Sequence, residues 1–328
     1  MRRSAARMSL TVFAGLGLLL SACSPQPEAS AGNAAEGISV VAATNVYGDI
    51  AQAVGGDRVS VTAIITKTSQ DPHSYEATAQ DRLAVSKADL VVENGGGYDG
   101  FLHTLVEDSS IDAHNVLNAV ELSGLAHPEE GATGEAAPDG SAAADEHAHD
   151  HGEFNEHVWY SLAAMGRLAD DLAARLGELE PDSAATFTAN AGAFKSELHS
   201  LAGKLTALKA GAEGDTVAVT EPVPLYLLAD AGLENATPED YTAAIEEGTD
   251  VPPAVLKAAA DLVASKSVRF LAYNSQTEGP QTEALKKAAE AASVPVVDFS
   301  ETLPEGKTYV QWMTDNVNNV SKVLETNS

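Results

Sequence analysis

The chain has 328 residues with 48 acidic against 19 basic side chains, and a formal charge of −29 at pH 7. That length suits one large domain or two lobes, and the charge disfavours nucleic acid and anionic lipid as partners while favouring cations. Its one cysteine, Cys23, excludes an intrachain disulfide and a thiolate metal site.

In chain order, Arg2, Arg3 and Arg7 precede an apolar run from Leu10 to Leu20. A basic end before an apolar stretch too short for a comfortable membrane span predicts a secretory signal over residues 1–22. The sequence Leu20-Ser21-Ala22-Cys23 resembles the lipobox of bacterial lipoproteins. This resemblance implies that Cys23 is lipidated as the first mature residue, anchoring the chain outside the cytoplasm at the cell membrane. Each buried methylene of such an anchor contributes about 0.8 kcal/mol. The alternative is an ordinary signal with a chance cysteine. Residues 23–37, polar and rich in Ala and Gly, read as a flexible tether.

Residues 38–125 carry the first lobe. Ile38–Ala43 is a short apolar run expected as a buried strand, and Asn45–Val54 has helical spacing that stops at Gly55-Gly56. Arg58–Ile65 is β-branched and predicts a second strand. Helix is then expected over 81–87, strand over 88–93 and helix over 98–107. Strands alternating with helices predict βαβ units and a mainly parallel sheet, whose ligand crevice lies beyond the carboxyl ends of the strands. His73, in Asp71-Pro72-His73, falls in the loop after the second strand and faces that crevice. Gly95-Gly96-Gly97 fits no phosphate-binding pattern and reads as a tight turn.

From Ala126 to Glu156 periodicity disappears, and a disordered acidic loop is expected. The stretch from Ala126 to Tyr160 holds five of the nine histidines, His127, His147, His149, His151 and His157, and no Lys or Arg. The alternating His147, His149 and His151 suit weak, adaptable metal capture. His157 differs, because Val158-Trp159-Tyr160 follow it and should hold it against folded protein.

Residues 157–212 should close the first lobe and link it to the next. Leu162, Met165, Leu168, Leu172 and Leu176 predict a helix ending at Gly177. A second, from Pro181 to Ala210, has apolar residues at Phe187, Phe194, Leu198, Leu201, Leu205 and Leu208. At 1.5 Å per residue it is roughly 45 Å long, enough to act as a spine across the molecule. In residues 213–328 the βα alternation returns: strand over 215–220, helix through Ala231, helix over 255–264, strand over 268–273, helix over 282–292, strand over 294–297 and a terminal helix over 308–324. Glu221, Asp298 and Glu301 each fall after a strand, where a carboxylate points into the same kind of crevice as His73.

The segments TNVYGDIAQAVGGDRVSV, DPHSYEAT, ADLVVENGGGYDGFL, NEHVWYS and VPVVDFSETLPEGKTYVQWM, with the acidic histidine loop, are similar to those of the substrate-binding lipoproteins of bacterial zinc and manganese ABC transporters, the ZnuA/TroA-like family. The resemblance covers essentially the whole mature chain. It implies an α/β fold of two βα lobes with mainly parallel sheets, joined by a long spine helix, with one metal ion in the interlobe cleft. It places the ligands at His73, His157, Glu221 and Glu301, the last a departure from the family's usual Asp, with Asp298 as competitor. A ligand set of two imidazoles and two carboxylates suits Zn2+, with Mn2+ or iron as the alternative. The resemblance further implies a monomer that hands its ion to a permease and its ATPase, without catalysis. Consistent with that, no H-E-x-x-H and no recognisable serine or cysteine nucleophile motif occurs. A metal-dependent surface adhesin or a metalloenzyme is the reading from another class.

Overall fold

The computed structural model describes residues 37–125 and 154–326. Cys23, the tether, and His127, His147, His149 and His151 lie outside the described residues. The first lobe runs β1 (Ile38–Thr44), α1 (Asn45–Gly55), β2 (Val59–Ile65), α2 (Ala79–Val85), β3 (Leu90–Glu93), α3 (Gly100–Glu107), β4 (Val116–Asn118) and α4 (Ala119–Ser123). Its strands are parallel in the order β2-β1-β3-β4. The central strands β1 and β3 are buried nearly throughout, as apolar runs covered on both faces must be.

Two helices follow, α5 (Leu162–Leu179) and α6 (Ala184–Ala212). The second lobe then runs β5 (Asp215–Val219), α7 (Leu225–Asp230), β6 (Leu233–Asn235), α8 (Glu239–Glu246), α9 (Pro253–Ala264), β7 (Leu271–Asn274), α10 (Pro280–Ala292), β8 (Val296–Phe299) and α11 (Tyr309–Thr326). Its strands are again parallel, in the order β6-β5-β7-β8. Each lobe therefore has the same winding, with a switch point between its two central strands, β1 and β3 or β5 and β7. Crevices open beyond the carboxyl ends of strands at such points.

Most expected elements lie within a few residues of the observed ones. Four were not anticipated: β4, α4, β6 and α8. Strands of three residues, such as β4 and β6, are too short to display an alternation. No helix among the described residues is long and apolar enough to cross a membrane.

Helix α6, 29 residues long, spans about 43 Å at 1.5 Å per residue. Pro181 begins a separate 3-10 turn, Pro181–Ser183, so the helix proper starts later than its sequence spacing suggests. Phe187, Ala191, Phe194, Leu198, Leu201 and Leu205 form its buried stripe. It packs against α1 of the first lobe, α7 of the second, and both α5 and α11. One buried cluster runs from Val40 and Ile50 through Leu168 and Phe194 to Val217, Leu227 and Val320. The lobes thus share a core across their linker helices.

Polar contacts fasten the same seam. The Asn45 side chain donates to the Leu303 carbonyl at 2.8 Å and accepts the Leu303 amide at 3.0 Å. The Asp49 carboxylate accepts the Tyr309 amide at 2.7 Å, and the Tyr309 hydroxyl donates to the Trp159 carbonyl at 2.6 Å. Asn45→Ala removes two hydrogen bonds between the lobes at once. It is expected to lower unfolding stability by about 1–3 kcal/mol, read as a lower urea midpoint; an unchanged midpoint would show that these contacts contribute nothing.

Candidate metal centre

His73 lies in the loop between β2 and α2. Asp71 accepts the His73 amide at 3.0 Å and the Ser74 hydroxyl at 2.8 Å, closing a turn that Pro72 stiffens. The imidazole stands edge-on to Tyr98, with ring centroids 5.0 Å apart. Tyr98 is delivered by the turn after β3, where Gly95, Gly96 and Gly97 all have positive φ. A Cβ on Gly95 would come within 2.3 Å of the Asn118 side chain, so the turn demands glycine for space as well as conformation.

His157 is 2 % exposed, against 21 % for the His73 side chain. Its ring packs on Trp159 and Tyr98, with centroids 5.1 and 5.8 Å away, and lies 6.4 Å from that of His73. Asn155 fixes its tautomer. The Asn155 Nδ2 donates to the Pro222 carbonyl at 3.0 Å, so its Oδ1 faces His157 Nδ1 at 2.7 Å and accepts from it. The proton therefore sits on Nδ1 and the Nε2 lone pair is available. Burial, and then the neighbouring His73, hold the His157 pKa well below the usual histidine range.

The second lobe supplies carboxylates. Glu221 follows β5 and Glu301 follows β8, and both are buried. Asn274, the last residue of β7, donates through its Nδ2 to both, at 2.7 Å to Glu301. Thr277 also donates to Glu221, and the Tyr98 hydroxyl reaches across from the first lobe to Glu301 at 3.4 Å. The Gln276 side chain accepts the Glu301 amide at 2.8 Å and fixes the local backbone. His73, His157, Glu221 and Glu301 are thus joined through Tyr98 and Asn274. Asp298 is not among them: it lies within β8 and is exposed, because the strand continues to Phe299, two residues beyond its expected end.

Two further carboxylates were not singled out from the sequence. Glu156 Oε1 lies 3.9 Å from His73 Nε2, and Glu246 Oε1 lies 3.8 Å from His157 Nδ1. Their side chains are 4 % and 8 % exposed, and both oxygens are buried without a hydrogen-bond partner. Phe154, Asn155 and Glu156, expected within a disordered loop, therefore belong to the described structure, and Asn94 Nδ2 donates to the Glu156 carbonyl at 3.1 Å. Glu156 carried one signal, its position just before His157. Glu246 carried none, since α8 itself was not foreseen. Among the described residues, His73, His157 and Glu246 form a group whose ligand atoms lie within 4.8 Å of one another.

Burial raises the pKa of all four acids. It pushes Glu156 up to about 7, and it pushes Glu246 to about 9 with help from Glu156, Glu221 and Glu301. Glu221 is raised by burial and then by Glu301, and Glu301 is raised by burial first. The His157 imidazole, held neutral beside His73, and acids reluctant to ionise form a site that a divalent cation would complete.

The chain is similar to known metal-binding proteins. The manganese-binding lipoprotein MntA of Halalkalibacterium halodurans is 29% identical over 167 residues, 51% of this chain and 48% of that protein, so the alignment spans about half of each. The manganese ABC transporter substrate-binding lipoprotein scaA of Streptococcus gordonii is 25% identical across 96% of both chains. The solved structure of the periplasmic zinc binding protein TroA from Treponema pallidum has the same fold, with a TM-score of 0.67 at 19% identity, covering 88% of this chain and 99% of that chain. Residues 40–323 match the family described as zinc-uptake complex component A, periplasmic (ZnuA), and the chain belongs to that family.

Proposed function

We propose that this protein captures a zinc ion outside the cytoplasm and delivers it to the permease of an ABC transporter. At the coarser level it is a metal-binding, substrate-binding component of such a transporter and not an enzyme. The observation that carries the metal reading is the cleft itself. His73 and His157 face each other there, Tyr98 links that pair to Glu301 and Asn274 links Glu301 to Glu221, which supports a site shared by both lobes; no Lys or Arg pairs with the two acids among the described residues.

These four residues are the proposed ligands. Zinc is favoured by the affinity order at a mixed nitrogen and oxygen site and by the histidine run at His147, His149 and His151, proposed as an auxiliary collector. Manganese is the second reading, supported by the carboxylate excess in the cleft and by the names of MntA and scaA. Both relatives are lipoproteins by name, which supports Cys23 as the membrane anchor of a monomeric binding protein.

The direct test strips the protein with chelator and titrates zinc and manganese into wild type, His73→Ala and a deletion of residues 131–152. One tight site is expected in wild type and in the deletion, which should lose only weaker additional binding. Tight binding that survives His73→Ala would sink the cleft assignment, and a preference for manganese would reverse the choice of ion.

A second expectation concerns pH. An acid whose folded pKa is raised stabilises the ion-free fold below its unfolded value of about 4.3, and that stability is lost as pH rises through the folded value. For Glu156 and Glu246 the folded values are about 7 and about 9, so the loss continues through neutral pH. His157, shifted the other way, is neutral in both states above about pH 7. Ion-free protein should therefore melt at lower temperature as pH rises from 7 to 8.5, while the rise in melting temperature on adding zinc grows. Ion-free melting that is flat with pH would contradict the buried, protonated carboxylates.

A further inference from the structure

Resting on that reading of the cleft, we infer that Glu246 is itself a ligand to the bound ion, a fifth protein donor contributed by α8. Its Oε1 is buried, accepts no hydrogen bond and lies 3.8 Å from His157 Nδ1, on the ring whose Nε2 is free to coordinate. It also falls within 4.8 Å of ligand atoms on both His73 and His157. Two donors that share an ion, each about 2.1 Å from it, sit roughly 3–4 Å apart, so a small inward movement satisfies all three.

The usual task of a carboxylate beside a metal-bound histidine is to accept its other ring hydrogen. Here that task is taken. A neutral His157 has one N–H, and Asn155 Oδ1 accepts it at 2.7 Å while turning its own amide to the Pro222 carbonyl. Glu246 Oε1 therefore has no hydrogen to accept from the ring, and a cation is the partner that would satisfy it.

Glu301 contrasts with it. One of its oxygens accepts from Asn274 and the other from Tyr98, so each must give up or share a donor to coordinate. Glu246 also borders an open cavity of about 400 Å³ together with Asn155 and Glu156. The residue thus lies both at the wall of that cavity and beside the two histidines.

A fifth donor has a consequence for selectivity. Zinc is satisfied by four ligands, whereas manganese prefers a larger, oxygen-rich shell. Glu246 would let a site of zinc-like composition hold manganese as well.

The test compares wild type, Glu246→Ala and His73→Ala by competitive titration with zinc and with manganese, and records the visible absorption of the cobalt(II) forms. In Glu246→Ala, manganese affinity is expected to fall on the order of tenfold to a hundredfold, zinc affinity by less. The cobalt band should intensify as the coordination number drops. Unchanged affinities and spectrum would overturn the assignment, as would equal losses for both ions with the spectrum unchanged, the mark of a positioning role. Either result leaves the proposed function standing if His73→Ala still abolishes tight binding; a wild type that binds neither ion would overturn both. Ion-free Glu246→Ala should melt at or above wild type, since it loses a buried acid, which separates loss of a ligand from loss of the fold.

Discussion

Four carboxylates, Glu156, Glu221, Glu246 and Glu301, are buried around two imidazoles, and among the described residues none is paired with Lys or Arg. Desolvating an ionised carboxylate costs several kcal/mol even after relaxation. Without an ion the protein meets that cost by holding protons on the acids to higher pH than usual and by offering neutral donors from Asn274, Thr277 and Tyr98. The cleft is thus built for its occupied state. The fold has to hold it together when empty.

It does so through symmetry of design. The same strand order occurs in both sheets, so each lobe presents one switch point, and the crevices face each other. Asn274 ends β7 and Glu221 follows β5, which places both at the second switch point. Asn94 and Tyr98 follow β3 at the first. His73 and Glu301 come from loops after the neighbouring strands β2 and β8. No single lobe carries all four of the proposed ligands, so a site built from them needs both.

Much of this was legible in the sequence, for identifiable reasons. Buried parallel strands announce themselves as apolar runs, as at Ile38–Thr44, and the spine helix through the spacing of Phe187 to Leu205. His157 stood out because Val158, Trp159 and Tyr160, one aliphatic and two aromatic residues, follow it. Glu246 could not be found this way. It sits at the end of an eight-residue helix with a modest apolar face, and what marks it is a three-dimensional fact, an oxygen without a donor beside a ring whose one hydrogen is already given to Asn155. Asp298 remained a competitor to Glu301 in the sequence because the exposure of each depends on where β8 ends, and the strand runs on to Phe299.

The core that passes unbroken from Val40 through α6 to Val320 also bears on how cargo leaves. Swinging the lobes apart would expose the apolar stripe of α6 and break the Asn45 and Asp49 seams together, a concerted loss that thermal motion rarely supplies. The His73 loop lies outside that shared core, with its side chain the more exposed of the two histidines. An ion that leaves the cleft while both seams stay intact then has to pass by way of the loops that carry the cleft's side chains, not by a hinge between the lobes.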